Sequence, residues 1–517
     1  MARHYVGGNR DQLFLLATSM KDWLDEGHLA YFVIDVVDRV DTAAFHARHP
    51  NHGRGRPAYS PDMMLALLFY AYATGMRSSR RIESACRTDA AFRVICGGVT
   101  PDHATIARFV VDHEAAIEAT FVDVLRLCVA AGLVSVGTIA IDGTKIAADA
   151  ALDKNRGATW IRHQVAAILG EATATDAAED AGGGLFALEE LPAAVSSRDG
   201  RLARLNEALA LIEAEDKATQ AEAQARAVKA AEAATEGHKL RGRKPKDPHA
   251  AAARAETEHA VVAARAAARA AEQKARADAA AAEGRKPKGP RPGPDQTVER
   301  AAAALEVARA AVAVALPAAI EANITDPDSR IMKTKAGFVQ GYNCQAAVNE
   351  CQIVLSCSVT QEANDLRQYQ PMVDATVASL AAAGVSEAIG TFLADAGYWS
   401  EANATAVGPQ RLIATTKDWK QRRVARELGT TDGPPPEGAS HLEAMEHRLR
   451  TVEGAAQYAK RSHTVEPVFG NEKHNRGFKV FRRRGHRAAS SEWALINISH
   501  NLGKLFSHQV AARIAPA

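Results

Sequence analysis

The chain has 517 residues and a mass of 55.0 kDa, enough for about two to four domains and for a core that needs no disulfide staples. Its 63 Lys and Arg nearly balance 61 Asp and Glu, a net charge of +2, so overall charge points to no polyanionic partner. The six cysteines form no CxxC pair, and the longest apolar runs, 63–73 and 310–320, are 11 residues each, short of the ~20 that a membrane helix needs. A secreted disulfide scaffold, a collagen and a membrane-spanning protein are excluded, and a soluble protein of a reducing, cytoplasmic compartment is expected.

Residues 10 to about 130 read as helical. Met63 to Tyr70 is apolar nearly all round, as a buried helix should be, with Ser60 as its cap and Pro61 at its first position. Gly75 can end that helix, Ser78 can cap the next, which carries Arg80 and Arg81, and Asp102 can cap a third. Short helices joined by tight turns suit a helix-turn-helix-like DNA-binding domain, and equally a helical bundle that touches no DNA.

A β-rich run follows, from Val134 to Asp142 and ending at Gly143. From about 152 to 320 the composition shifts, with 18 alanines among the 32 residues 251–282. Three helices are expected, near 199–236, 249–283 and 296–316, folded as an antiparallel arm with a short seam of Leu202, Leu205, Leu209 and Ile212. At 1.5 Å per residue the longer two reach roughly 50 Å. The breaks between them carry a near-repeat, Gly242-Arg243-Lys244-Pro245-Lys246 and Gly284-Arg285-Lys286-Pro287-Lys288. Such stretches, like Gly53-Arg54-Gly55-Arg56-Pro57, fit either a narrow minor groove or a solvated turn.

Mixed structure resumes near 328. Residues 329–347, 352–360, 391–395 and 411–415 read as strands and 364–380 as a helix, an α/β order with one mixed sheet. Cys344, Cys351 and Cys357 read as buried thiols better than as a metal site. Between 461 and 487 eight basic residues face two acids, net +6, which points to nucleic acid.

Two of the strands end in aspartate, Asp142 and Asp395, each followed by glycine or Ala-Gly. Neighbouring strands lie about 4.8 Å apart, so carboxylates at matching heights can share a metal ion. A third acid, Glu466, lies in a helical segment with Lys473 two turns on. Three carboxylates from separate elements are what a pair of Mg²⁺ ions requires for phosphoryl transfer.

Ala140-Ile141-Asp142-Gly143-Thr144-Lys145, Leu393-Ala394-Asp395-Ala396-Gly397-Tyr398-Trp399, and Val465-Glu466-Pro467-Val468-Phe469-Gly470 with Lys473 together resemble the DDE transposases of bacterial insertion sequences. The stretch 57–86, with Ser79-Arg80-Arg81-Ile82-Glu83, resembles the N-terminal helical domain of that family. Many relatives carry Tyr, two residues, Arg, three residues, Glu, six residues, Lys. Glu466 and Lys473 fit that signature, Tyr458 and Arg461 keep their mutual spacing, and four residues separate Arg461 from Glu466.

The resemblance implies a ribonuclease-H-like catalytic domain with a mixed five-stranded sheet, an all-α N-terminal domain and an inserted Ala-rich helical arm. In residue terms these are 10–130, a split catalytic domain at 131–151 and 321–506, and the arm at 152–320. It implies Asp142, Asp395 and Glu466 as catalytic acids holding two Mg²⁺ ions, with Mn²⁺ as a substitute. DNA contacts are expected from Lys473, Arg461, Tyr458, Arg476, Arg482, Arg483 and Arg484, and from Arg80 and Arg81. The implied partners are element-end and target DNA and further copies of the chain, in a bacterial cytoplasm, at the nucleoid when active. Two rival readings are an endonuclease that cuts without joining and a DNA-binding scaffold in which the acids are structural.

Overall fold

The computed structural model describes residues 19–48, 58–179, 198–235, 248–282, 295–314, 321–334, 336–417, 420, 423 and 427–514. The basic repeats at 242–246 and 284–288 and the Gly-Arg run at 53–57 lie outside the described residues. The chain divides into two units, one of 1–153 with 328–517 and one of 154–327.

The described strands are β1 (Thr138–Ala147), β2 (Asn155–Gly157), β3 (Glu321–Asn323), β4 (Arg330–Thr334), β5 (Gly337–Asn349), β6 (Val354–Thr360), β7 (Thr391–Ala394) and β8 (Gln410–Ile413). In the first unit they make a six-stranded mixed sheet in the order β4-β5-β1-β7-β8, with β6 also on β5. β1 runs antiparallel to β5 and parallel to β7, and β7 parallel to β8. β4 and β6 share the edge of β5 away from β1, β4 against 337–341 and β6 against 343–348.

The sheet has six strands where five were expected, because the single strand expected over 329–347 is a hairpin. Gly337, at φ 128°, takes a left-handed turn that L side chains resist, and β4 folds back along the start of β5. β1 also continues four residues past Gly143, so that Asp142 lies in mid-strand. Its ladder with β5 persists to the pair Ala147 and Gly341, and no bulge interrupts it.

The helices before the sheet follow local sequence. Ser60 and Pro61 open Pro61–Ala73, whose residues from Met64 to Tyr72 are buried, and Gly75, at φ 77°, closes it. The Asp102 carboxylate accepts from the Thr105 amide at 2.9 Å and caps His103–Asp112. Leu29–Val37, Pro61–Ala73 and Glu114–Ala130 pack on the last helix, His486–Ile514, which also lies against β6. These helices and the sheet therefore share one hydrophobic core, with Trp493 buried in it and its indole N–H donating to the Gln345 carbonyl on β5 at 3.1 Å.

The second unit holds Ala158–Glu179, Arg198–Thr235, Pro248–Ala282 and Gln296–Val314, the last three bounded much as the alanine pattern predicts. Ion pairs Arg309 to Glu256 and Arg269 to Asp295 (2.9 and 3.0 Å) set the last two antiparallel. The unit's two chain ends meet in the antiparallel pair β2–β3. Its small core is Ile161, Leu205, Ala208, Ile212 and Ala322, which includes half of the expected leucine seam.

That core is separate from the large one, so it can be damaged separately. Ile161→Asp places a charge among these five side chains and is expected to cost the unit about 2 kcal/mol or more. Hydrogen exchange should quicken along 158–179 and 198–235 while β1 and β5 keep their protection. Equal loss of protection in the sheet would contradict the separation.

Candidate active site

β1 and β7 pair in parallel with Ile141 opposite Ala394. The next residue on each is a carboxylate, so Asp142 and Asp395 stand side by side, about one strand spacing apart. Asp395 lies where β7 stops, and its carboxylate accepts the Gly397 amide at 2.8 Å to cap the turn Ala396–Tyr398. Asp142 has one oxygen on the Gly143 amide (2.8 Å) and the other on Arg461 Nη2 (2.7 Å). Its side chain is only 17% exposed. Burial pushes the Asp142 carboxyl up to about 7, with Asp395 and Asp365 adding to the rise and Arg461 and the Gly143 amide opposing it.

Glu466 opens the short helix Glu466–Gly470. Pro467 falls in its first turn, where a missing N–H does no harm. The carboxylate is half exposed, and its Oε1 lies 3.5 Å from Arg461 Nη1. One buried guanidinium thus spans Asp142 and Glu466. Asp142 is thus the common member: strand pairing sets it beside Asp395, and Arg461 ties it to Glu466.

A fourth acid, Asp365, lies close enough to raise the Asp142 carboxyl, and no motif in the sequence points to it. It sits in the turn between β6 and the helix Tyr369–Ala382, where a helix from 364 was expected. The helix starts five residues late because Asp365 turns inward to meet three donors on one oxygen, Oδ1. These are Asn343 Nδ2 and Gln345 Nε2 at 2.8 Å and Lys145 Nζ at 3.2 Å. Two buried amides two residues apart on one face of β5, Asn343 and Gln345, are the signal that could have revealed it. Tyr398, fully buried, donates its hydroxyl to Gln345 Oε1. Burial and then the charges of Asp142, Asp365 and Asp395 hold that phenol well above its ordinary range, so it stays a donor.

The basic residues divide between interior and surface. Lys473 gives its ammonium to the Lys145 carbonyl on β1 at 2.7 Å, and burial lowers its pKa. Arg476 is held by Ser499 and by the carbonyl of Ala73, and Gly75 has no room for a Cβ beyond 3.2 Å from the Arg476 carbonyl. Arg483 pairs with Glu114, as does Arg487 at 3.0 Å, and Arg484 pairs with Asp149 at 3.0 Å. Tyr458 packs against the core. Arg482, Arg80 and Arg81 are exposed. Glu472, six residues past Glu466, is turned into the core, its carboxylate has no hydrogen-bond partner among the described residues, and burial pushes that carboxyl up to about 8. Cys344 is buried and Cys357 half-buried, but Cys351 is exposed, in the turn after β5, so the expectation of three buried thiols fails there.

Among the described residues, no three His, Cys, Asp or Glu side chains stand ready around a metal position. The donor set nevertheless has the hard oxygen chemistry that Mg²⁺ takes, and Arg461 supplies positive charge between two of its members.

Two outcomes are expected. Asp142 binds its proton more tightly in the folded chain than in the unfolded one, so its contribution to stability is complete at acid pH and lost as pH rises through about 7. Asp142→Asn should therefore raise the melting temperature by about 2–4 °C at pH 8, roughly 1 kcal/mol, with a smaller effect at about pH 5 and little change near pH 4; equal effects at pH 8 and pH 4 would contradict the burial argument. A Cβ on Gly143 would run into Gln345 Nε2 and Asp365 Oδ1. Gly143→Ala should cost about 1–3 kcal/mol in denaturant unfolding, and an unchanged midpoint would show the packing there to be loose.

Two family models match the chain. Residues 18–112 match one described as Transposase domain (DUF772), and residues 435–506 match one described as Transposase DDE domain. The second match contains Tyr458, Arg461, Glu466 and Lys473, whereas Asp142, Asp365 and Asp395 lie outside both. No curated protein and no solved structure matches the chain. The two matches, near opposite ends of the chain and in the order of the motifs that carry the resemblance, support its similarity to the DDE transposases of insertion sequences.

Proposed function

We propose that the chain binds the ends of an insertion sequence, cuts them, and joins the cut strands to target DNA. The observation that carries this reading is the side-by-side placement of Asp142 and Asp395 at one end of the parallel β1–β7 pair, with Arg461 bridging Asp142 and Glu466. The strand order, with β4, β5, β6 and β1 paired antiparallel and β7 and β8 added in parallel beside β1, supports a ribonuclease-H-like catalytic domain made of 131–151 and 321–506. Residues 10–130 serve as the DNA-binding helical domain, and 152–320 as an inserted accessory arm.

Asp142, Asp395 and Glu466 would hold the divalent ions, Mg²⁺ with Mn²⁺ as a substitute. Two such ions stabilise the attacking and leaving oxygens of an in-line displacement at phosphorus. The chain's own part is orientation and exclusion of water. The Gly397 amide fixes Asp395, the Gly143 amide fixes one oxygen of Asp142, and Arg461 holds Asp142 and Glu466 to a common side. Burial of Asp142 keeps its charge in a medium where attraction to a cation is strong. Arg482, Arg80 and Arg81 are exposed cations suited to the phosphate backbone, while Arg476 and Lys473 act by holding the protein around the site. The protein would work in a bacterial cytoplasm as an oligomer on DNA. Among the described residues no helix is long and apolar enough to cross a membrane.

The test is cleavage and joining of element-end DNA. Asp142→Asn and Asp395→Asn should each lower Mg²⁺-dependent cutting by about 10³-fold or more. End-binding should stay within about threefold, because phosphate contacts supply affinity. Undiminished cutting by either variant would contradict the assignment, and cutting without any joined product would make the chain a nuclease.

A further inference from the structure

We infer that Asp365 is a positioning residue of this site, setting Asp395 through Gln345 and Tyr398. The inference rests on the reading of Asp142, Asp395 and Glu466 given under Proposed function. It begins from an asymmetry in the Asp365 carboxylate: Oδ1 accepts from Asn343, Gln345 and Lys145, while Oδ2 accepts from no described residue and faces Gly397, 3.5 Å from where a Cβ would stand. Asn343 and Gln345 are one strand step apart on the same face of β5, and Lys145 pairs with Asn343 from β1, so the clamp is built from both central strands.

The consequence lies in Gln345. An amide side chain has a donor end and an acceptor end, and which way it points is set by its partners. With Nε2 committed to Asp365 at 2.8 Å and to Asn343 Oδ1 at 3.0 Å, Oε1 turns to the Tyr398 hydroxyl and accepts from it. Tyr398 is the last residue of the Ala396–Tyr398 turn, which the Asp395 carboxylate caps through the Gly397 amide. A second tie runs in parallel: the Asn403 side-chain amide donates to the carbonyls of both Leu366, next to Asp365, and Tyr398, each at 2.7 Å. The turn after β6 and the turn after β7 are thus locked to each other. A neutral side chain at 365 would weaken the hold on Gln345, free its amide to rotate, and leave Tyr398 and the capped turn unsecured.

The experiment uses the full chain and Mn²⁺ as probe, with binding followed by the paramagnetic resonance of free Mn²⁺. Hydrogen exchange of the Gly397 amide is measured in metal-free protein. Asp365→Asn and Tyr398→Phe should each weaken Mn²⁺ binding by about tenfold. The double variant should be no weaker than either single one, because both cut the same chain of bonds. Gly397 exchange should quicken in both, and Asp365→Glu should recover part of the loss. Wild-type Mn²⁺ affinity and Gly397 protection in Asp365→Asn would overturn the inference, and additive losses in the double variant would overturn the route through Tyr398. If Asp365→Asn does not fold, Tyr398→Phe, which removes only a hydroxyl, decides in the same way. Asp142→Asn separates the two readings: abolished Mn²⁺ binding there with an unaffected Asp365→Asn sinks only the positioning role, whereas unaffected binding in Asp142→Asn sinks the metal-site reading itself.

Discussion

The guanidinium of Arg461 between Asp142 and Glu466 is the contact on which the rest of the site depends. Strand pairing brings Asp142 beside Asp395, the β6 turn adds Asp365, and a late helix adds Glu466. Carboxylates crowded into a partly dry place repel one another, and without compensation they would protonate or push the strands apart. Arg461, itself 7% exposed, takes two of them, and Lys145 takes a third. The amides of Asn343 and Gln345, donating to Asp365, and the Tyr398 phenol, donating to Gln345, satisfy the remaining oxygens without adding charge. The balance is incomplete at Asp142, whose carboxyl is raised by burial first and then by Asp395 and Asp365, a cost that a bound cation would offset.

The same logic governs the basic C-terminal segment. Its net charge of +6 over 461–487 resembles a DNA-binding surface in the sequence. In the fold most of these cations are engaged within the chain: Arg461 at the site, Lys473 on β1, Arg476 on the last helix and Arg483 on Glu114 in the interior, and the more exposed Arg487 and Arg484 on Glu114 and Asp149. Glu492, buried on the last helix, collects Arg77 at 3.4 Å and the Arg482 amide at 2.9 Å. The segment therefore fastens the N-terminal helices, β1 and the last helix to one another. That is why Arg482, and Arg80 and Arg81 on a separate helix, carry the weight of the DNA-contact proposal.

Much of this was legible in the residues. Asp142 and Asp395 stand out because a strand pattern leads into a carboxylate and a glycine, and Glu466 because Lys473 follows it at helical spacing. The arm's helices are legible because alanine-rich stretches have one good conformation and their breaks carry proline and glycine. What escaped was set by tertiary contact. Asp365 sits in a stretch whose local pattern favours helix, and only partners some 20 residues earlier on β5 draw it out. The β4–β5 hairpin hid inside one long apolar-polar run because its turn depends on a single glycine. Arg483 and Arg476 looked like surface cations because their partners, Glu114 and Ser499, are remote from them in sequence or in local pattern.

The most direct test of the account is the position of Mn²⁺ in crystals of the wild-type chain with element-end DNA, located by its anomalous scattering. Mn²⁺ is expected in contact with carboxylate oxygens of Asp142 and Asp395, with Glu466 turned to the same ion set and Arg461 displaced from between them. Mn²⁺ bound elsewhere at saturating concentration, with Arg461 still bridging Asp142 and Glu466 beside the scissile phosphate, would contradict it.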